Sequence, residues 1–330
     1  MKSLYGRAVF AVDGEPFFWE DVVLDATRDG RWARWEREVG AGVAALAAGA
    51  AQLPEEVVDE AAQEFRYERD LITAREMEEW LEARGLTPSE WMGHVRRHVA
   101  RMRNGASTSL PGALAPADAL RVELLCSPQG VEFAMQLAER AAAAAAAPSG
   151  EPVALPPLPQ LRDEIAPPNL AERWERLAAV TDGVDRFRRQ ILTAEALKRE
   201  VSHHHLDWIR IDCRALGFGD EGRAREAALC VREDGLGLDE VSLDAHVPAF
   251  DSRFYLDELE ADLRPAFLAA QPVDVIGPVP FDGGYSLFRI MDKVMPSEQD
   301  PEIRRRAEAS VITRSLAEEV QRRIRWRTAL

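Results

Sequence analysis

The chain is short of thiols, of positive charge and of long apolar runs, and each shortage narrows the reading. Three cysteines in 330 residues, Cys126, Cys213 and Cys230, are odd in number, far apart and never spaced C-x-x-C. That spacing supplies no disulfide framework, and the default is buried thiols in a reducing compartment. Lys and Arg total 41 against 57 Asp and Glu, a formal net charge of -16. This balance argues against a nucleic-acid partner, which needs clustered cations facing phosphate. The triplet Arg304-Arg305-Arg306 lies among glutamates in a helical pattern and reads as a solvated face. No apolar stretch is long enough to span a bilayer, since the alanine-rich runs at 43–51 and 141–147 lack both length and large side chains. The first apolar run is too short for a signal segment and soon meets Asp13 and Glu15. The expectation is a cytoplasmic protein with no membrane partner. No Gly-rich phosphate loop, Ser-His-Asp set or paired-carboxylate signature stands out.

What is present is ordinary globular material, 46% hydrophobic and 30% charged, with length for two or three domains. Residues 7–12 read as a strand turned at Asp13-Gly14, followed by helices over 19–28 and 31–51 with Gly30 as the break. Leu53-Pro54-Glu55-Glu56 opens another helix, with Pro54 at its first position. Thr73-Ala74-Arg75-Glu76 and Thr87-Pro88-Ser89-Glu90 are capping boxes that open two more. Residues 104–116 and 148–168 are Pro- and Gly-rich linkers; helices are expected over 117–125 and 130–147, from Asn169 past Leu177, and over 182–201.

Beyond the His203-His204-His205 run, 206–215 alternates as a strand, 222–232 and 238–245 are helical, and 249–256 reads as a short loop. Residues 273–294 hold two apolar runs around Asp282-Gly283-Gly284, a β-hairpin whose second strand begins Tyr285-Ser286-Leu287-Phe288. Asp300-Pro301 starts a long helix to about 323, and 322–327 alternates as a last strand.

An apolar run, then Gly277-Pro278-Val279, a short loop, Gly284-Tyr285 and an apolar strand resembles the end of a parvulin-type peptidyl-prolyl isomerase domain. Leu263-Arg264-Pro265-Ala266-Phe267-Leu268 resembles the parvulin segment that lines the proline slot, and the likeness covers about 206–294. The opening VDGEPFFWEDV and the short helices joined by turns such as LTPSEW resemble the N-terminal region of SurA-like chaperones. The whole plan is similar to the parvulin-related peptide maturation system proteins of bacterial natural-product clusters. The fold expected is α+β: a SurA-like helical domain over 1–104, a helical middle region over 117–200, a parvulin-like domain with a small antiparallel sheet over 206–294, and a closing helix with a possible strand over 300–330. By this likeness the last residues return to 9–12.

The resemblance implies a peptide slot lined by Leu263, Phe267, Tyr285, Phe288 and Trp208. Active relatives carry a histidine after Gly-Tyr and another at the start of the first strand; here Ser286 follows Tyr285 and the strand begins Leu206-Asp207-Trp208-Ile209. Ser286 is then the one candidate catalytic group, through its hydroxyl. Two functions stay open. One is a non-catalytic or weakly catalytic chaperone that binds an unfolded or precursor peptide beside peptide-modifying enzymes; the other is an active isomerase. No cofactor and no metal site is expected. Adjacent His203–His205 do not converge on a centre, and His94 with His98, spaced i and i+4, read as a helix pair with His98 on the apolar stripe. The tryptophans Trp19, Trp32, Trp35, Trp80, Trp91 and Trp174 read as core anchors, with a peptide-binding groove as the alternative. The oligomeric state stays open.

Overall fold

A computed structural model describes residues 6–49, 53–104, 114–150, 157–159, 161–163 and 165–327. The chain is α+β, mostly helical with two small antiparallel sheets. Its contacts divide it into two compact units, Met1–Gln190 with Arg314–Leu330, and Ile191–Thr313.

The first unit opens with strand β1 (Ala8–Val12) and strand β2 (Glu15–Phe18). Asp13 and Gly14 turn the chain at φ 49° and 95°, the left-handed pair that a tight hairpin requires. Strand β2 falls between the expected turn and the expected helix. Helix α1 (Trp19–Arg28) starts where the Phe18 N–H donates to Asp21 Oδ2 at 2.8 Å. Helix α2 (Arg31–Gly49) follows the break at Gly30, φ 77°. In helix α3 (Glu55–Tyr67) Pro54 is the residue before the first turn, one place earlier than expected. Helix α4 (Ala74–Arg84) has its capping box, Thr73 with Glu76, and stops at left-handed Gly85. The Thr87–Glu90 box opens helix α5 (Pro88–Asn104). Helices α6 (Ala117–Cys126) and α7 (Pro128–Ala146) complete the expected set. Residues 105–113 of the first expected linker and 151–156, 160 and 164 of the second fall outside the described residues.

Helix α8 (Leu170–Ile191) corrects the reading. It runs unbroken where two helices were expected, because the Thr181 hydroxyl donates to the Leu177 carbonyl (3.0 Å) and caps nothing. Asn169 sits at φ 59° before it, a left-handed turn residue. The break comes at Thr193, whose Oγ1 accepts from the Ala196 N–H (3.1 Å) and opens helix α9 (Ala194–His203).

The second unit is built on strand β3 (Arg210–Phe218), which starts four residues later than the alternation suggested because 204–208 form turns. Helices α10 (Glu221–Arg232) and α11 (Leu238–Ala245) lead to strand β4 (Ala249–Tyr255), in place of the expected loop. A single 3-10 turn precedes helix α12 (Arg264–Ala269). The hairpin of strands β5 (Val275–Phe281) and β6 (Gly284–Val294) closes on Asp282 and Gly283 at φ 48° and 75°. The sheet order is β4-β3-β6-β5, every pair antiparallel. Helix α13 (Pro301–Arg323) begins where Asp300 Oδ1 accepts from the Glu302 N–H. Strand β7 (Ile324–Trp326) then pairs with β1 in the first unit's sheet, Phe10 opposite Trp326.

The first unit's core gathers Phe10, Leu24, Trp32, Leu120 and Leu137. Burial there pushes the Asp25 carboxyl up, although Arg140 (2.6 Å) and Arg31 (3.1 Å) both pair with it. Burial also acts on Glu123, but His94 (2.8 Å) and Arg97 (2.7 Å) outweigh it and hold that carboxyl below its ordinary range.

Candidate functional site

Side chains alternate across a strand, so β3 sends residues to two cores. Leu216 and Phe218 face α10 and α11, which close on the sheet through Ala224, Ala227 and Ala228. Ile211, Cys213 and Ala215 face the other way, toward Phe254 of β4, Ile276 of β5, Phe288 and Ile290 of β6, and α12. That second face is the one the parvulin resemblance would make the ligand side.

Helix α12 is pinned over this face at both ends. Arg264 donates to the carbonyls of Leu259 and Asp257 at 2.9 Å each. Lys293 Nζ donates to the Leu268 carbonyl at 2.9 Å and also to that of Ala270. Its partial burial lowers the pKa of that ammonium. The clamp drives Phe267 into a nest of rings, 5.4 Å from Phe254 and 5.4 Å from Phe288. Phe281 lies 5.0 Å from Phe288 and 6.3 Å from Phe254. Three of these four pairs are edge-to-face, an arrangement that adds about 0.5–1.5 kcal/mol each beyond the buried area.

Three of the five expected peptide-lining residues therefore meet. Leu263, Phe267 and Phe288 share one core, but Phe267 and Phe288 are wholly buried and spend their surface on Phe254 and each other. The space between α12 and the hairpin is filled with the protein's own rings. Tyr285 lies on the opposite face with Leu287, one residue from Ser286 and therefore turned the other way. Trp208 lies before β3 in a separate cluster with Leu197, Tyr255, Ile303 and Ala307.

Ser286 does belong to the second face. It pairs with Gly217 of β3 and Val279 of β5 and is almost fully buried. Gly217 is exposed, and the side chain it lacks leaves a shallow hollow between Phe250 and Ser286, about as deep as one methyl group. A methyl group on Gly217 would lie 3.8 Å from Phe250 Cε1 and 4.0 Å from Ser286 Oγ. The Phe250 ring, 43% exposed, forms one wall and the Ser286 hydroxyl the other. Sequence reasoning missed Phe250, Phe254, Phe281 and Gly217. The signal was the spacing of Phe250, Ser252 and Phe254, which puts all three on one side of a strand. Further along the same face of β3, burial pushes the Cys213 thiol up to about 12, so it is an inert core group.

None of the chain's six histidines lies on β3–β6 or α12. His204 stacks on Trp208 at 4.5 Å, between Glu200 (3.5 Å) and Asp207 (3.3 Å). His246 bonds the Asp244 carbonyl and lines a cavity of about 420 Å³ between α10 and α11. On α5 it is His94, not His98, that is buried, with its ring 5.7 Å from Phe65. Among the described residues no group of three or more His, Cys, Asp or Glu could hold a metal ion. Trp19, Trp32, Trp35, Trp91 and Trp174 are buried anchors. Trp35 also borders a cavity of about 360 Å³ with His94, Arg97 and Ser127.

No family model matches the chain, and no curated protein matches it. Among solved structures it is similar to one reported for the virulence factor PEB4 and the periplasmic protein Cj1289, described as SurA-like chaperones of Campylobacter jejuni. Identity is 7%, over 98% of this chain and 100% of that one, with a TM-score of 0.22. It is also similar to the foldase protein PrsA of Streptococcus pneumoniae, at 10% identity over 96% of this chain and 93% of that one, with a TM-score of 0.28.

Proposed function

We propose that this chain is a parvulin-like, SurA-like peptide-binding protein that holds an unfolded segment at the Gly217 hollow without isomerising it. The observation behind this is the exposed glycine walled by Phe250 and the Ser286 hydroxyl, on a sheet face with no imidazole. The parvulin resemblance implies the order strand, helix, short helix, extended segment, hairpin; β3, α10, α11, β4 and the β5–β6 hairpin follow one another in that order, with α12 before the hairpin. Turning an X–Pro bond means stabilising a twisted amide against a barrier of about 18–20 kcal/mol. An aromatic wall grips a proline ring equally in the planar and twisted states, so it adds affinity without rate. In this reading the client is a ribosomally made precursor peptide, held in the cytoplasm for its modifying enzymes.

The test is a titration with an unstructured X–Pro peptide that records affinity and cis–trans exchange together. Saturable binding with an unchanged exchange rate is expected, and Gly217→Leu, which fills the hollow, should weaken binding at least tenfold, about 1.4 kcal/mol. Faster exchange that Ser286→Ala removes would make the protein an isomerase. Absence of binding would end the reading.

A further inference from the structure

The two edges of the four-stranded sheet are built differently. On β5 the edge carries Pro278 and Pro280, and its register shifts between Ile276 and Val279. Prolines and bulges are how natural sheets stop another strand from pairing. On β4 the edge has neither. Seven residues run opposite β3 without a register shift and without a proline.

The phase of the ladder shows which groups are open. Leu256 N–H donates to the Ile209 carbonyl at 3.0 Å, so Leu256, Phe254, Ser252 and Phe250 turn their backbone groups toward β3. Tyr255, Arg253 and Asp251 turn theirs outward. Tyr255 agrees, since its N–H is taken by Glu258 Oε2 at 3.0 Å. The N–H and C=O groups of Asp251 and Arg253 therefore point to solvent, with no partner among the described residues. Their side chains do not guard the edge. Asp251 is drawn back to Arg214 (2.9 Å) and Arg253 to Asp212 (2.7 Å), both on β3, and they are 83% and 67% exposed.

We infer that this edge accepts an extended peptide as an added strand, hydrogen-bonded to Asp251 and Arg253, with alternate side chains against Phe250. The inference rests on the peptide-binding reading and says how the peptide is held: by main-chain pairing, with little dependence on its sequence. The occupant is a peptide and not a second copy, because an edge whose open groups belong to Asp251 and Arg253 falls far short of the roughly 1,200 Å² that a stable interface buries. Phe250 lies between the edge and the Gly217 hollow, so one bound segment reaches both.

The probe is an acetylated, amidated nonapeptide of alternating valine and serine with one central proline, titrated calorimetrically into the whole chain. N-methylating one alternate set of its amides should weaken binding at least tenfold, and the other set less than threefold. The Asp251 and Arg253 amides should exchange more slowly in the complex. Arg253→Pro removes an outward N–H and spares the β3 ladder, so it should also cost at least tenfold. Binding that ignores both N-methyl sets and leaves the two amides unprotected would overturn the edge and leave the peptide reading standing. No binding at all would overturn both. A concentration-dependent dimer in sedimentation, lost in Arg253→Pro, would assign the edge to a second copy and overturn the inference.

Discussion

The two faces of the four-stranded sheet use opposite means of covering β-structure. One is covered by two helices, α10 on the alanines Ala224, Ala227 and Ala228 and α11 on Leu238 and Val241. The other is covered by one six-residue helix and a cluster of phenylalanines, and at Gly217 the cover stops. Small residues seat α10 close on its face, with a cavity left between α10 and α11, whereas large rings fill the centre of the other face and leave its margin open. The difference locates the candidate site at the margin, away from the central slot.

The largest effect should come from the centre of the ring cluster. Phe288→Ala or Phe267→Ala removes a fully buried ring and should destabilise by about 3–5 kcal/mol in denaturant unfolding. A cost under about 1 kcal/mol would mean the cluster is not the core of that face. On the alanine face the same logic runs in reverse. Ala224→Phe overpacks a fully buried position of α10 and should cost about 1–3 kcal/mol; a neutral result would mean α10 is loosely seated. Phe250→Ala should be nearly silent in stability, under about 1 kcal/mol, because its ring is 43% exposed. Its effect should appear as loss of peptide affinity. The smallest perturbation is chemical. Burial holds Cys213 and Cys126 at about 12, whereas Cys230 is only partly buried. A thiol reagent at mildly alkaline pH should modify Cys230 alone, and Cys213 and Cys126 only after unfolding. Early labelling of Cys213 would show that its face opens.

Local chemistry made much of this legible in the sequence. Asp282-Gly283 specified the hairpin, Thr73 with Glu76 and Thr87 with Glu90 specified helix starts, and the alternation at 322–327 gave a last strand that pairs beside Phe10. Strand β4 was hidden because an edge strand carries charge on its solvent side, so Asp251, Ser252 and Arg253 looked like a loop. Tyr285 was placed on the wrong side because a strand reverses its face at each residue, and Ser286 claims the ligand side. Which rings would fill the slot was a tertiary fact: Phe254 and Phe267 are thirteen positions apart and meet only when α12 folds over the sheet.

The most direct measurement is a phenylalanine ring NMR titration of the whole chain with an X–Pro peptide. The account predicts that Phe250 and Phe281, at the margin of the open face, shift progressively while Phe267 and Phe288 move little. Shifts confined to the first unit's rings, such as Phe65 and Phe133, with Phe250 unmoved would contradict it.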